Sequence, residues 1–223
     1  MKDNRLGAVA LIIGAITNVI VLTFHPSGGG GHELHVTQAQ FDMLIAVVVG
    51  VHVLAISGLP FSFLGATALS RKINSPNRVA LLALVIYAFS LVAIIIAASM
   101  SGLVTPALFR RLAAHGPDAA QWRLLVDYTH AINQSFAQIV GVGTCIAIIL
   151  WSLLMIKRRL FSVGLGIYGL LLGLVIVICL FAGKLDLELH GFRLITLTQS
   201  IWFFIAGILL WRSPGETRLR PQE

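Results

Sequence analysis

Apolar residues fill six long stretches of this chain, at about residues 6–24, 41–69, 79–104, 126–156, 160–183 and 192–211. The shortest holds 19 residues. At 1.5 Å per residue it is about 28 Å of helix, enough for one bilayer core. The pattern therefore predicts an all-α integral membrane protein, six transmembrane helices in a bundle. Residues 1–211 form a single membrane domain and residues 212–223 a loose polar tail. Interruptions refine the outline. Pro60, in Ser57-Gly58-Leu59-Pro60, removes a backbone donor and predicts a kink near Ser57. Thr105-Pro106 is expected to end the third span, and Ala107–Gln121, with Leu108-Phe109-Arg110-Arg111-Leu112, suits a short helix at the interface. Gly166, Gly169 and Gly173 give the fifth span a smooth face on which a neighbour can lie closely. The pairs His52/Ser57, His130/Ser135 and Ile195/Ser200 share one spacing, which suggests three related helical hairpins.

Composition removes the soluble alternative. Charged residues are only 11% and hydrophobic ones 57%, with a mean hydropathy of +0.91, whereas a soluble domain carries about a quarter charged residues. Lipid must cover such a surface. The net charge of +7 would raise nucleic acid in another context. Here the basic residues sit at span ends, so nucleic-acid binding is not expected. With the N-terminus in the cytoplasm, 11 basic residues fall inside and 5 outside, making the 16 present. That bias places both termini in the cytoplasm of a bacterial inner membrane. The first span ends Thr23-Phe24-His25-Pro26 without the small residues of a cleavage site, and is read as retained. Cys145 and Cys179 lie in apolar runs without a second ligand nearby and read as small hydrophobes.

The candidate chemistry is histidine. His25-Pro-Ser-Gly-Gly-Gly-Gly-His32-Glu33-Leu-His35 joins the first two spans as a glycine-rich, histidine-bearing loop. Counted in helical rises from the cytoplasmic basic residues, His25, His52 and His190 stand about 30, 28 and 33 Å up, at one level. His130 joins them, at about 31 Å, when Trp151 is taken as an interfacial anchor. Below and above it, Asp127, His130, Gln134 and Gln138 recur at spacings of 3, 4 and 4, one face of the fourth span. Amides and imidazole are costly against lipid, so this face is expected to point into the bundle. Arg193, Thr196 and Ser200 form a shorter stripe on the sixth span. Together they predict an inward polar site between spans two, four and six.

The sharpest functional expectation is a metal or haem site. His25, His52, His130 and His190 would supply ligands to copper or zinc, with His32, His35 and Glu33 as a delivery arm. A haem b would be held by His52 and His130, flanked by Asp127, Gln134 and Gln138. The alternative is binding or transport of a small molecule, a quinone, lipid or solute, at the polar stripe. A third reading is a structural or accessory subunit, alone, as a homo-oligomer or with a membrane partner, its polar stripes acting as glue. Ser57, Ser135 and Ser200 carry no nucleophile-elbow motif, so enzyme chemistry is not expected.

Overall fold

The structure is a computed structural model that describes residues 2–25, 37–74, 78–113, 119–159, 161–185 and 189–213. Its elements are α1 (Lys2–Phe24), α2 (Gln38–Asn74), α3 (Arg78–Ser99), α4 (Thr105–Ala113), α5 (Ala119–Arg158), α6 (Val163–Phe181) and α7 (Leu189–Arg212). No strand occurs among the described residues. Counting α3 and α4 as one rod, six helices are long and apolar enough to cross a membrane, as in a multi-pass membrane protein. Their many exposed Leu, Ile, Val and Phe side chains are a surface for lipid.

The helices form a ring in chain order. α1 packs on α2, α2 on α3, α3 on α5, α5 on α6, and α7 closes the ring chiefly against α1. Small residues make these approaches possible. Between the antiparallel α1 and α2, a Cβ on Gly14 would lie 2.3 Å from Ser62 Oγ, and one on Gly65 would lie 2.6 Å from the backbone of Leu11. The expected glycine face of α6 is used in the same way. Gly166, Gly169 and Gly173 meet Ser152, Met155, Ile149 and the carbonyl of Cys145, so α6 lies flush on α5.

Inside the ring, toward the end marked by Arg71 and Lys157 (the basic end), sits an aromatic cluster. Trp151 stacks on Trp202 at 6.1 Å, and Tyr87 and Phe203 pack edge-on or tilted against them. This corrects the role given to Trp151. It is 0% exposed, and its indole N–H donates to Ser70 Oγ at 2.9 Å. An indole buried this way needs a partner, and Ser70 supplies it. The bond places Trp151 against Ser70 of α2 inside the bundle, not at an interface.

One boundary differs from expectation. The third span does not end at Thr105-Pro106. It passes through a π-helical turn, Met100–Val104, and continues as α4. Proline is tolerated in the first turn of a helix, where its missing N–H has no acceptor to serve. Thr105 instead bonds Met100 O through both its backbone N–H and its hydroxyl. Helix α2 keeps Pro60 inside one continuous helix, as the second span was expected to, and extends beyond it at both ends. At the other extreme α6 is short. Ser162 caps its start by accepting from the Leu165 N–H, and Gly183, at φ +64°, turns the chain out of it.

Helix α5, by contrast, has 40 residues, about 60 Å. Gly141 already lies beside Leu180, near the last turn of α6. Everything before it on that face of α5 rises above the end of its neighbour. The hairpin repeat is not expressed in equivalent surroundings either. His52 is buried and His130 exposed, and Ser57 and Ser135 are exposed while Ser200 is buried.

Candidate functional site

Far from the basic end, the structure brings two of the candidate histidines together. The rings of His25 and His52 meet edge to face with centroids 5.0 Å apart. His52 is 5% exposed and lies against the π-helical turn, where a Cβ on Gly102 would sit 2.2 Å from its own Cβ. Only glycine lets the turn rest there. Both ring nitrogens are engaged. Nδ1 donates to the carbonyl of Val48 at 2.7 Å, and Nε2 is 2.9 Å from Ser101 Oγ. A carbonyl only accepts, so Nδ1 carries the hydrogen and Nε2 faces the serine. Ser101 Oγ also lies 2.9 Å from Ala97 O, so its one hydrogen is shared between that carbonyl and Nε2.

The other ligands expected here lie elsewhere. His130 and His190 are exposed, as are Asp127 and Gln138, and Gln134 is half-buried. The expected inward face of the fourth span thus turns outward, because α6 stops too early to cover it. By count His130 stands 21 residues from Trp151 and His52 18 from Ser70, so the two differ by only about 4.5 Å in height. They match in level and not in direction. His32, Glu33 and His35 lie outside the described residues. Among the described residues no three His, Cys, Asp or Glu side chains come together as a metal site. A haem b between α2 and α5 does not fit either, since His52 has both nitrogens bonded and His130 faces away.

The polar groups that do converge were not singled out as a set from the sequence. A cavity of about 40 Å³ lies inside the ring on the far side of the aromatic cluster. Its polar walls are Asn18 of α1, Ser62 of α2, Tyr87 and Ser90 of α3, Thr144 of α5, and Thr196, Gln199 and Ser200 of α7. Leu59, Leu91, Ile94, Val140 and Phe203 complete it. Of the sixth-span stripe, Thr196 and Ser200 are therefore on the wall, and span four contributes Thr144 in place of its outward stripe.

Hydrogen bonding gives this cavity a polarity. Ser62 and Ser90 donate to carbonyls of their own helices, at Gly58 and Ile86. Gln199 donates through Nε2 to Gly141 O and Cys145 Sγ. Their donor hydrogens are spent, and what they retain are oxygen lone pairs. Ser200 Oγ, at a residue 2% exposed, has no partner among the described residues. The walls are thus uncharged and carry acceptors at Ser62, Ser90 and Gln199 beside open donors at Asn18, Thr144, Thr196 and the enclosed Ser200. A few signals for this set exist in the sequence. Asn18 is the one amide of the first span, and Ser62 and Ser90 stand opposite the glycines that let helices close.

Compared with known proteins, the chain matches no family model, and neither a curated protein nor a solved structure shows significant similarity to it. The reading of its function rests on the geometry alone.

Proposed function

We propose that this is a bacterial inner-membrane protein, both termini cytoplasmic, that binds and passes a small uncharged solute through a polar chamber in its helix ring. The observation that carries the reading is Ser200, a buried hydroxyl without a partner among the described residues, on the wall of an uncharged polar cavity. Buried hydroxyls are normally satisfied, and one left open costs about 1–3 kcal/mol unless something else bonds to it. Polar side chains from five helices converging at mid-depth are expensive in a bilayer, and such residues ordinarily line ligand or ion paths. The absence of charge from the walls favours a neutral occupant, since a bare ion there would meet only neutral dipoles. The room, about 40 Å³, holds roughly three water-sized groups. That suits water or a solute with a few non-hydrogen atoms that both donates and accepts, and is too small for a quinone ring or a haem. The basic bias of the span ends supports the orientation.

The test is osmotic. Protein reconstituted in liposomes is mixed rapidly with hyperosmotic urea, glycerol or sucrose, and light scattering follows shrinkage and reswelling. Faster water or urea exchange than in protein-free liposomes is expected, slowed by Ser200→Leu, whose side chain fills the chamber. Rates equal to protein-free liposomes for water, urea and glycerol would reject the reading.

A further inference from the structure

We propose that the groove between the far halves of α1 and α7 is a binding site for an acidic phospholipid, its phosphate on Arg193 and its first methylenes along Val19, Leu22 and Leu197. The groove is open and has a volume of about 260 Å³. Its floor and sides are Val19, Leu22, Thr23 and Leu197, and Arg193 lies at its far end. Val19 and Leu197 are exposed side chains on candidate membrane spans, so lipid is the neighbour this wall is built to meet.

The guanidinium is incompletely used. One amino group, Nη2, donates to the carbonyl of His25, while Nε is buried without a partner. No carboxylate pairs with Arg193 among the described residues. The other amino group, Nη1, makes no bond among the described residues and is the donor left for a phosphate oxygen, beside the full charge of the guanidinium. Position agrees with the chemistry. Arg193 stands 19 residues from Arg212, about 28 Å, which is headgroup height over a hydrocarbon core of about 30 Å. From Arg193 to Leu197, and from Thr23 to Val19, the groove runs one helical turn toward the bilayer centre, about 6 Å. That places the glycerol and the top of one acyl chain on apolar side chains directly below the phosphate.

Charge selects the acidic class. Arg193 lies in the second turn of α7, where the helix N-terminus adds partial positive charge. His190, one turn nearer that end and exposed, points from the same face. A headgroup with a net negative charge is favoured there over a zwitterion whose ammonium must face the same cation.

Native mass spectrometry tests this on the whole protein. Protein delipidated in mild detergent is offered equal amounts of phosphatidylglycerol and phosphatidylcholine with matched chains. About a fivefold preference for retaining one phosphatidylglycerol is expected, the equivalent of about 1 kcal/mol for one interfacial cation. Arg193→Gln brings the two lipids to parity. Leu197→Trp, which fills the groove and leaves the charge in place, lowers retention of both, with an unchanged melting temperature as evidence of folding. Arg123→Gln, exposed on α5, keeps the preference. Parity in the unmodified protein, a preference that survives Arg193→Gln, or one that Arg123→Gln abolishes equally would overturn the proposal.

Discussion

Replacing Ser200 by alanine separates a ligand chamber from interhelical glue. If Ser200 were glue, its hydroxyl would bond a neighbouring helix, and Ser200→Ala would forfeit that bond. Such bonds inside membrane bundles average about 0.6 kcal/mol and reach about 1.7 kcal/mol. In the structure the hydroxyl has no partner among the described residues, so there is no bond to lose. Removing one oxygen enlarges the cavity slightly, a cost of a few tenths of a kcal/mol at about 24 cal/mol per Å³. Relief of a buried, uncommitted hydroxyl acts the other way, by about 1–3 kcal/mol if it bonds nothing and by close to zero if chamber water already serves it. The expected change in unfolding free energy therefore lies between a loss of a few tenths and a stabilisation of about 2.5 kcal/mol.

Unfolding of the purified protein in mixed micelles at increasing dodecyl sulfate fraction measures this difference. The buried Trp151 and Trp202 report the transition by fluorescence. Two comparisons calibrate it. Ser152→Ala removes a second buried hydroxyl without a partner, one pressed against the Gly169 face of α6 instead of the chamber. It is expected to behave like Ser200→Ala in stability and to leave solute passage unchanged. Ser70→Ala leaves the Trp151 N–H without its acceptor and is expected to destabilise by about 1–3 kcal/mol. A loss of more than about 1 kcal/mol in Ser200→Ala, comparable to Ser70→Ala, would refute the reasoning.

Three further expectations follow from the packing and the site. Gly65→Val drives a side chain into the backbone of Leu11, which cannot swing aside, and is expected to cost about 1–3 kcal/mol in the same unfolding assay or to abolish the folded form. Gly102→Ala forces α3 away from His52, and loss of the His52–Ser101 bond should appear as a changed imidazole nitrogen shift in solid-state NMR of the labelled protein. Asp127→Ala combined with His130→Ala removes two exposed groups and should leave stability within about 0.5 kcal/mol and passage unchanged. A large loss of either would mean that the α5 stripe is covered in the working protein.

What could be read from the chain, and what could not, follows from the solvent. Height along a membrane helix is a count. The six helices, the level shared by His25 and His52, and the near-level of His130 all came from multiplying residues by a fixed rise. Direction is a different quantity. In water, a helix shows its inner face through a stripe of apolar residues, because the other face must be wet. In lipid both faces are apolar, and the stripe is lost. Asp127, His130, Gln134 and Gln138 were assigned inward because lipid would penalise them, and that premise failed for a reason no local pattern carries. Gly183 ends α6 below them, so the face they occupy has no neighbour there. The same chain does encode direction by another route, in its smallest residues. Gly14 and Gly65 mark where α1 and α2 touch, Gly166, Gly169 and Gly173 where α6 meets α5, and Gly102 where the π-helical turn meets His52. Ser62 stands opposite Gly14, Ser90 opposite Gly143, and Gln199 donates to the carbonyl of Gly141, so three polar groups of the chamber sit at glycine contacts. In a helix apolar on every side, it is the glycines that mark the inward face, and the polar residues that stand with them, more than those spaced along one stripe, are the ones that reach the centre.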